Sequence, residues 1–327
     1  MRPWIVLING VDTLSAGQST ADMLQRISAR GQRVGVVGLH DLETRADGSF
    51  GAYARWLPAG LETSAQVVQT ARSAASESCD MSDVGLVIVR LNPGRGSEAE
   101  HQLVLDQLVL MAATGVPVVN EPSGLALGRT KLYLSRLPVD ARPPTLVTRN
   151  ADSGRQFIRG LGGRCVVKPV TGTRGRDVFV VRDADDPNLN QIFDVMFRQG
   201  FAMIQGFVPE ASAGDTRVLL LNGRLIEQDG GIAAVRRVPT GSDFRSNVHV
   251  GGVPSPAVAT PALRDLVERV GPQLRRDGLF LVGLDVIGNV VVEANVFSPG
   301  GFADASKFAG TDFLAPVVDA LFAASRP

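Results

Sequence analysis

The stretch Gly283-Leu284-Asp285-Val286-Ile287-Gly288-Asn289-Val290-Val291-Val292-Glu293-Ala294-Asn295-Val296-Phe297-Ser298-Pro299-Gly300-Gly301 decides how this chain is read. Two apolar runs of strand character meet at a Gly-Asn turn, which predicts a β-hairpin. Asp285, Glu293 and Asn295 interrupt these runs. Buried strands seldom carry carboxylates unless the charges are paired or bind a metal. Glu293 and Asn295 are two apart and share one face of their strand. Such hard oxygen donors suit Mg2+, which binds through a few carboxylates plus phosphate oxygens. The plainer alternative is a polar strand edge turned to solvent. Register separates the two. A two-residue loop, Gly288-Asn289, pairs Ile287 with Val290 and sends Asp285 to the face opposite Glu293. A three-residue loop, or a bulge, sets Asp285 beside Glu293 and Asn295 beside Gly283. Gly283 would then leave room for a ligand next to Asn295.

Upstream, the first third of the chain alternates strand and helix. Strands are expected at Trp4–Ile8, Arg33–Leu39, Val84–Leu91 and Val116–Asn120. Helices are expected from Ser19 or Thr20 to Arg30, over Leu61–Ser78 and over Glu98–Thr114, with Gly31 and Gly115 as stops. This rhythm predicts an open, mostly parallel βαβ sheet. No Gly-x-Gly-x-x-Gly follows the first strand, so a dinucleotide fold is not indicated. Glu121-Pro122-Ser123-Gly124 reads as a boundary between an N-terminal domain, 1–122, and a second domain, 123–327. A helical piece is expected over Ser123–Leu137 and a helix over Ala151–Gly160. Antiparallel strands with Gly-rich turns dominate after Arg164, and the fold class is α/β followed by α+β.

Composition excludes several functions. Length, 327 residues, allows two domains, and 44% hydrophobic with 20% charged residues is ordinary for a globular protein. Zero net charge gives no field for nucleic acid or anionic membrane. No apolar run reaches membrane-spanning length, and the N-terminus reads as a strand rather than a signal peptide. Two cysteines, Cys79 and Cys165, far apart in sequence, suit a reducing, cytoplasmic setting. His40, His101 and His249 lack zinc-site spacing.

Arginine is the default cation here, and only Lys131, Lys168 and Lys307 are lysine. A compact ammonium is a good point charge for phosphate. Lys168 ends an apolar strand just before Thr171-Gly172-Thr173-Arg174-Gly175, a hairpin whose glycines let backbone amides approach phosphates. Arg217 lies on a strand and is able to grip an anion. The segment 230–252, with Arg236, Arg237, Arg245 and Asn247, has the length and charge of a lid over a phosphate-bearing site.

In this order the motifs resemble those of the ATP-grasp superfamily, and most closely the prokaryotic-type glutathione synthetases. The resemblance rests on Thr145–Asn150, Val167-Lys168-Pro169, Asp215–Leu219, Arg237–Asn247, Val282–Gly288 and Glu293–Pro299. It implies a two-part ATP-grasp fold with a small lid subdomain near 140–205. It also implies that Lys131 and Lys168 contact ATP phosphates beneath the Gly172–Gly175 hairpin. Gln205, Phe207 and Val208 would hold adenine, and Asp215 would lie near the ribose. Arg217, with Lys168, Arg237 and Asn247, would serve the phosphate or acyl phosphate. Asp285, Glu293 and Asn295 would hold two Mg2+ ions, or Mn2+ in their place. Ser298 and Gly300 would receive a substrate carboxylate, with Arg245 alongside. The implied chemistry joins a small carboxylate to an amine through an acyl phosphate, and the implied assembly is a dimer or tetramer.

The chain departs from that family where acceptors bind. Relatives carry Asp-Pro-Pro-Phe-Asp after an arginine, whereas this chain has Arg90-Leu91-Asn92-Pro93-Gly94-Arg95-Gly96. Two acids and an aromatic are gone and Arg95 is gained, so Arg90 and Arg95 are expected to face a different acceptor. A specialised amide ligase is the leading expectation and glutathione synthesis the next. An ATP-grasp kinase or a non-catalytic nucleotide-binding protein stands further off.

Overall fold

The computed structural model describes residues 1–172, 177–239 and 252–325. Its first sheet is built on β1 (Trp4–Ile8), β2 (Val34–Gly38), β3 (Leu42–Thr44), β4 (Phe50–Leu57), β5 (Ser76–Asp80), β6 (Leu86–Val89) and β7 (Val118–Val119). The parallel core runs β2-β1-β6-β7, as the βαβ rhythm requires. Strands β3, β4 and β5 extend it antiparallel, which makes the sheet mixed. Helices α1 (Ser19–Ala29), α2 (Ser64–Ser73) and α3 (Glu98–Ala113) belong to this part. The expected helix over Leu61–Ser78 is therefore only half right. A Thr63 capping box starts α2, but the chain leaves the helix at Ala74 and becomes the edge strand β5.

The helical piece expected over Ser123–Leu137 is two pieces. α4 (Pro122–Gly128) is followed by a separate 3-10 stretch, Lys131–Arg136, capped by Thr130. A small antiparallel sheet follows, in the order β10-β9-β11-β8. It comprises β8 (Thr145–Thr148), β9 (Cys165–Pro169), β10 (Phe179–Val181) and β11 (Ala202–Gly206), with α5 (Ala151–Leu161) and α6 (Leu189–Gln199). The last part carries β12 (Asp215–Leu221), β13 (Arg224–Leu225), β14 (Glu227–Gln228), β15 (Gly231–Ile232), β16 (Ala234–Val238), β17 (Val253–Pro256), β18 (Leu281–Ile287) and β19 (Val290–Asn295). Helices α7 (Pro261–Arg276), α8 (Phe302–Ala309) and α9 (Leu314–Ala324) complete it. The main antiparallel path is β17-β16-β12-β18-β19. Much of the expected lid 230–239 is thus regular strand, and 240–251 lie outside the described residues. None of the described helices is long and apolar enough to cross a membrane.

Alternation along β1 sends Ile5 and Leu7 to one hydrophobic cluster and Trp4, Val6 and Ile8 to another. Both clusters continue into the β12–β18 sheet, through Val218, Leu220 and Leu284 on one side and Leu219, Val235 and Leu281 on the other. Buried Asn120, just after β7, reinforces this seam. Its Nδ2 donates to the carbonyls of Leu281 and Val296 at 3.0 and 2.6 Å, and its Oδ1 accepts from Leu281 N at 2.8 Å. The small sheet has a core of its own, built from Ile158, Val167, Phe193, Met196 and Ile204 among others.

Candidate active site

The hairpin reconciles a two-residue turn with facing carboxylates. Ile287 pairs with Val290 and Val286 with Val291. The register then shifts, so that Asp285 lies opposite Glu293 and Gly283 opposite Asn295. The bulge, not a longer loop, supplies the odd residue. The same face continues across the sheet: Arg217 on β12 stands opposite Asp285, and Arg237 on β16 opposite Asp215. The result is a row of alternating charge. Arg217 clasps Asp285 with two nitrogens, Nη2 donating at 3.0 Å and Nε closer still. Arg237 donates through Nε to Asp215 at 2.8 Å, through Nη2 to the other Asp215 oxygen, and reaches Asp285 Oδ1 at 3.0 Å.

This row splits the two carboxyls. Burial alone would raise Asp285, but Arg217 and Arg237 outweigh it and hold the group at about 2. Glu293 moves the other way, raised by burial and by Asp285 beside it, with Lys131 and Lys168 partly offsetting both. Glu293 makes no ion pair among the described residues. Arg237, which burial would weaken, is carried above its ordinary value by Asp285 and Asp215.

The lysines come from two other segments. Lys168, on β9, is buried; its Nζ donates to Gln205 Oε1 at 3.0 Å and reaches the Val292 carbonyl on β19 at 3.5 Å. Gln205 in turn donates to Thr145 Oγ1 at 3.2 Å. Burial, helped by Lys131, pulls Lys168 down to about 8 against the pull of Glu293 and Asp285. Lys131 opens the 3-10 stretch; its Nζ donates to the Gly172 carbonyl at 2.7 Å, and its pKa is lowered by burial and partly restored by Glu293. A lysine near 8 has a consequence for anion binding. Raising the pH from about 7 to about 9 deprotonates Lys168, so affinity for ADP is expected to fall across that range and to flatten in Lys168→Met. A titration calorimetry series giving one Kd across the range would show that this ammonium does not hold phosphate.

Among the described residues, no three His, Cys, Asp or Glu side chains are grouped to hold a metal. The donor set available is two carboxylates and an amide. Asn295 Nδ2 is buried without a hydrogen-bond partner among the described residues. A half-turn of that amide presents its oxygen instead, so the third donor is uncommitted. Two carboxylates plus one amide oxygen is a poor cage for a metal alone and a good one for Mg2+ that also binds phosphate. Gly283 does not leave the ligand space expected of it. Pro299 Cβ and Arg217 Cδ fill that space, at 2.9 and 3.1 Å from where a Cβ would sit.

Arg90 is buried at the end of β6, with Nε donating to Thr20 Oγ1 at 3.1 Å, Nη2 to the Pro299 carbonyl at 3.4 Å, and Nη1 without a partner among the described residues. Burial lowers it to about 10. It thus adjoins the turn bearing half-buried Ser298 and exposed Gly300. Arg95 is half-buried on a loop braced by Asn9. Asn9 Oδ1 accepts from Asn92 N at 2.7 Å, and Nδ2 donates toward the Asn92 and Arg95 carbonyls and His101 Nε2. Phe207 and Val208 follow β11, with Arg164 over the Phe207 ring at 4.2 Å. Asp215 is engaged by Arg237 rather than turned outward. Gly175, Arg245 and Asn247 lie outside the described residues. The Asn9 brace and the Asn120 seam were not among the expected features. The available signal for each was an amide next to a buried strand.

A small lysine-bearing sheet set against a larger sheet with a carboxylate hairpin defines the ATP-grasp class. The chain belongs to the prokaryotic glutathione synthetase family. The family's ATP-grasp domain matches residues 130–310 and its N-terminal domain residues 4–126. The glutathione synthetase of Brucella melitensis is 36% identical over 206 residues, covering 62% of this chain and 63% of that protein. The chain therefore matches less than two thirds of that relative's length. The glutathione synthetase of Mesorhizobium japonicum is 30% identical over 244 residues, 74% of each chain. In fold, the ATP-grasp ligase PsnB complexed with minimal precursor superposes with a TM-score of 0.63 at 18% identity, covering 98% of this chain and 99% of the other.

Proposed function

We propose that the protein is an ADP-forming carboxylate–amine ligase, and that its substrates differ from γ-glutamylcysteine and glycine. The observation that carries this reading is the meeting of Lys131, Lys168, Asp285, Glu293 and Arg217, drawn from separate parts of the chain. In the proposed reaction, the terminal phosphate of ATP passes to the carboxylate, giving an acyl phosphate and ADP. The amine then attacks the acyl carbon, phosphate leaves, and an amide remains. This chemistry asks for positioning and charge neutralisation rather than a protein nucleophile.

Lys131 and Lys168 would hold phosphate oxygens, with Gln205 orienting the Lys168 ammonium. Gln205, Phe207 and Val208 border the space assigned to adenine. Arg217 and Arg237 would meet the charge that develops on the transferred group. Asp285, Glu293 and Asn295 would hold two Mg2+ ions, replaceable by Mn2+, whose charge would supply neutralisation of the phosphates. Cytoplasmic location and a homodimer or homotetramer complete the proposal. The test is an ATP-hydrolysis screen over pairs of small carboxylates and amines, with products identified by mass spectrometry. Phosphate release that requires both the acid and the amine would exclude a kinase, which leaves the phosphate on a stable acceptor.

True glutathione synthesis is the second reading, favoured by the names of the relatives. The loop Arg90–Gly96 weighs against it, because reversing charge in a recognition loop excludes the old ligand as well as admitting a new one. Two arginines suit an acceptor with carboxylates or a phosphate. Arg95→Ala is expected to raise KM for that substrate and leave KM for ATP nearly unchanged. Purified protein that makes glutathione at kcat/KM of roughly 10⁴ M⁻¹s⁻¹ or more would overturn the first reading in favour of the second.

A further inference from the structure

Lys131 opens a 3-10 stretch of six residues, Lys131–Arg136. Runs of that geometry beyond three or four residues are uncommon, because their hydrogen bonds are poor. This one is held from both ends. At the start, Thr130 caps it and Lys131 N donates to the Val170 carbonyl at 3.0 Å. At the far end, Tyr133 and Arg136 converge on one buried carboxylate, Asp277. Tyr133 Oη donates at 2.9 Å, Arg136 Nη2 at 2.6 Å and Nε at 3.4 Å, and Gln273 Nε2 adds a bond at 2.9 Å.

A second feature singles out Asp277. It stands at the C-terminal cap of α7, where the helix dipole disfavours an anion. Its side chain is only 4% exposed, so solvent does not relieve it. An acid in so poor a place is accounted for by what it grips, and it grips the segment that carries Lys131.

We propose that Asp277 is a positioning residue for the nucleotide phosphates: through Tyr133 and Arg136 it fixes the 3-10 stretch and so sets the place of the Lys131 ammonium. The inference rests on the ATP-grasp reading. Asp277 touches no phosphate itself. It acts through Lys131, whose ammonium donates, among the described residues, to the main-chain carbonyls of Thr171 and Gly172.

The test is a double-mutant cycle on full-length protein, read as Kd for ADP and for adenosine by calorimetry. Asp277→Asn is expected to raise Kd for ADP about tenfold, within the usual range of coupling between groups that act together. Adenosine binding should stay the same, since it lacks phosphates. In a Lys131→Ala background, Asp277→Asn should add little further loss for ADP. Equal losses in both backgrounds, or a parallel loss for adenosine, would overturn the inference in favour of a general structural role. If Asp277→Asn does not fold, Arg136→Ala carries the same cycle, because that side chain is 47% exposed and leaves Asp277 its other donors. Unmodified protein that binds neither ATP nor ADP would remove the ATP-grasp reading itself, an outcome separate from the cycle.

Discussion

Replacing Glu293 with alanine is expected to lower ATP turnover by at least ~10³-fold, the scale seen when a preorganised electrostatic contact to a transition state is removed. Thermal stability should hardly fall. Glu293 is disfavoured where it stands, by burial first and by Asp285 second, and it has no guanidinium partner among the described residues. Removing it relieves those penalties. Asp285→Ala should lose activity as severely and stability as well. It would strand Arg217 in a largely buried place and leave Arg237 to Asp215, and breaking a buried pair from one side costs about 3–5 kcal/mol. Calorimetric melting beside a steady-state assay separates the two. Full Mg2+-dependent turnover in folded Glu293→Ala would take that carboxylate out of the metal set.

Lys168→Arg is the second large effect. Formal charge is kept, yet turnover should drop by at least ~10²-fold. The ammonium fits between Gln205 Oε1 and the Val292 carbonyl, and the side chain is buried. A planar guanidinium is larger, points its donors along a fixed fork and cannot occupy that space as a compact charge. Overpacking the site adds about 1–3 kcal/mol of destabilisation. Unchanged kcat and unchanged KM for ATP would mean that Lys168 is incidental to phosphate binding.

Much of the architecture was legible because burial and period speak together. Trp4–Ile8 is a continuous apolar run, Leu281–Ile287 is an apolar run interrupted by Asp285, and both are interior strands. The edge strand Ser76–Asp80 has neither signal. It is polar because solvent lies on it, and pairing with β4 supplies what its sequence lacks. The 3-10 stretch after α4 starts at a local cap, Thr130, but the hold of Tyr133 and Arg136 on Asp277, more than 140 residues away, has no local pattern to announce it. At the site, residue types out of keeping with their strands stood out: Asp285, Glu293, Asn295 and Lys168. The hairpin's own residues leave its register open between a longer loop and a bulge, since choosing the bulge needs the neighbouring strands. Gly283 illustrates the limit. Its missing side chain was readable, but what fills the space is Pro299 and Arg217.

Asn120 bears on how the family's parts are exchanged by recombination. A crossover placed at the end of the first sheet would separate that amide from the carbonyls of Leu281 and Val296, which belong to the carboxylate hairpin and the turn after it. It would also cut through two hydrophobic clusters shared by both sides. Crossovers near Pro144 and Phe207 instead lift out a sheet with its own core. Chimeras that swap residues 144–206 between relatives are thus the ones expected to fold, and those joined at 122 will need both faces of the seam from one parent.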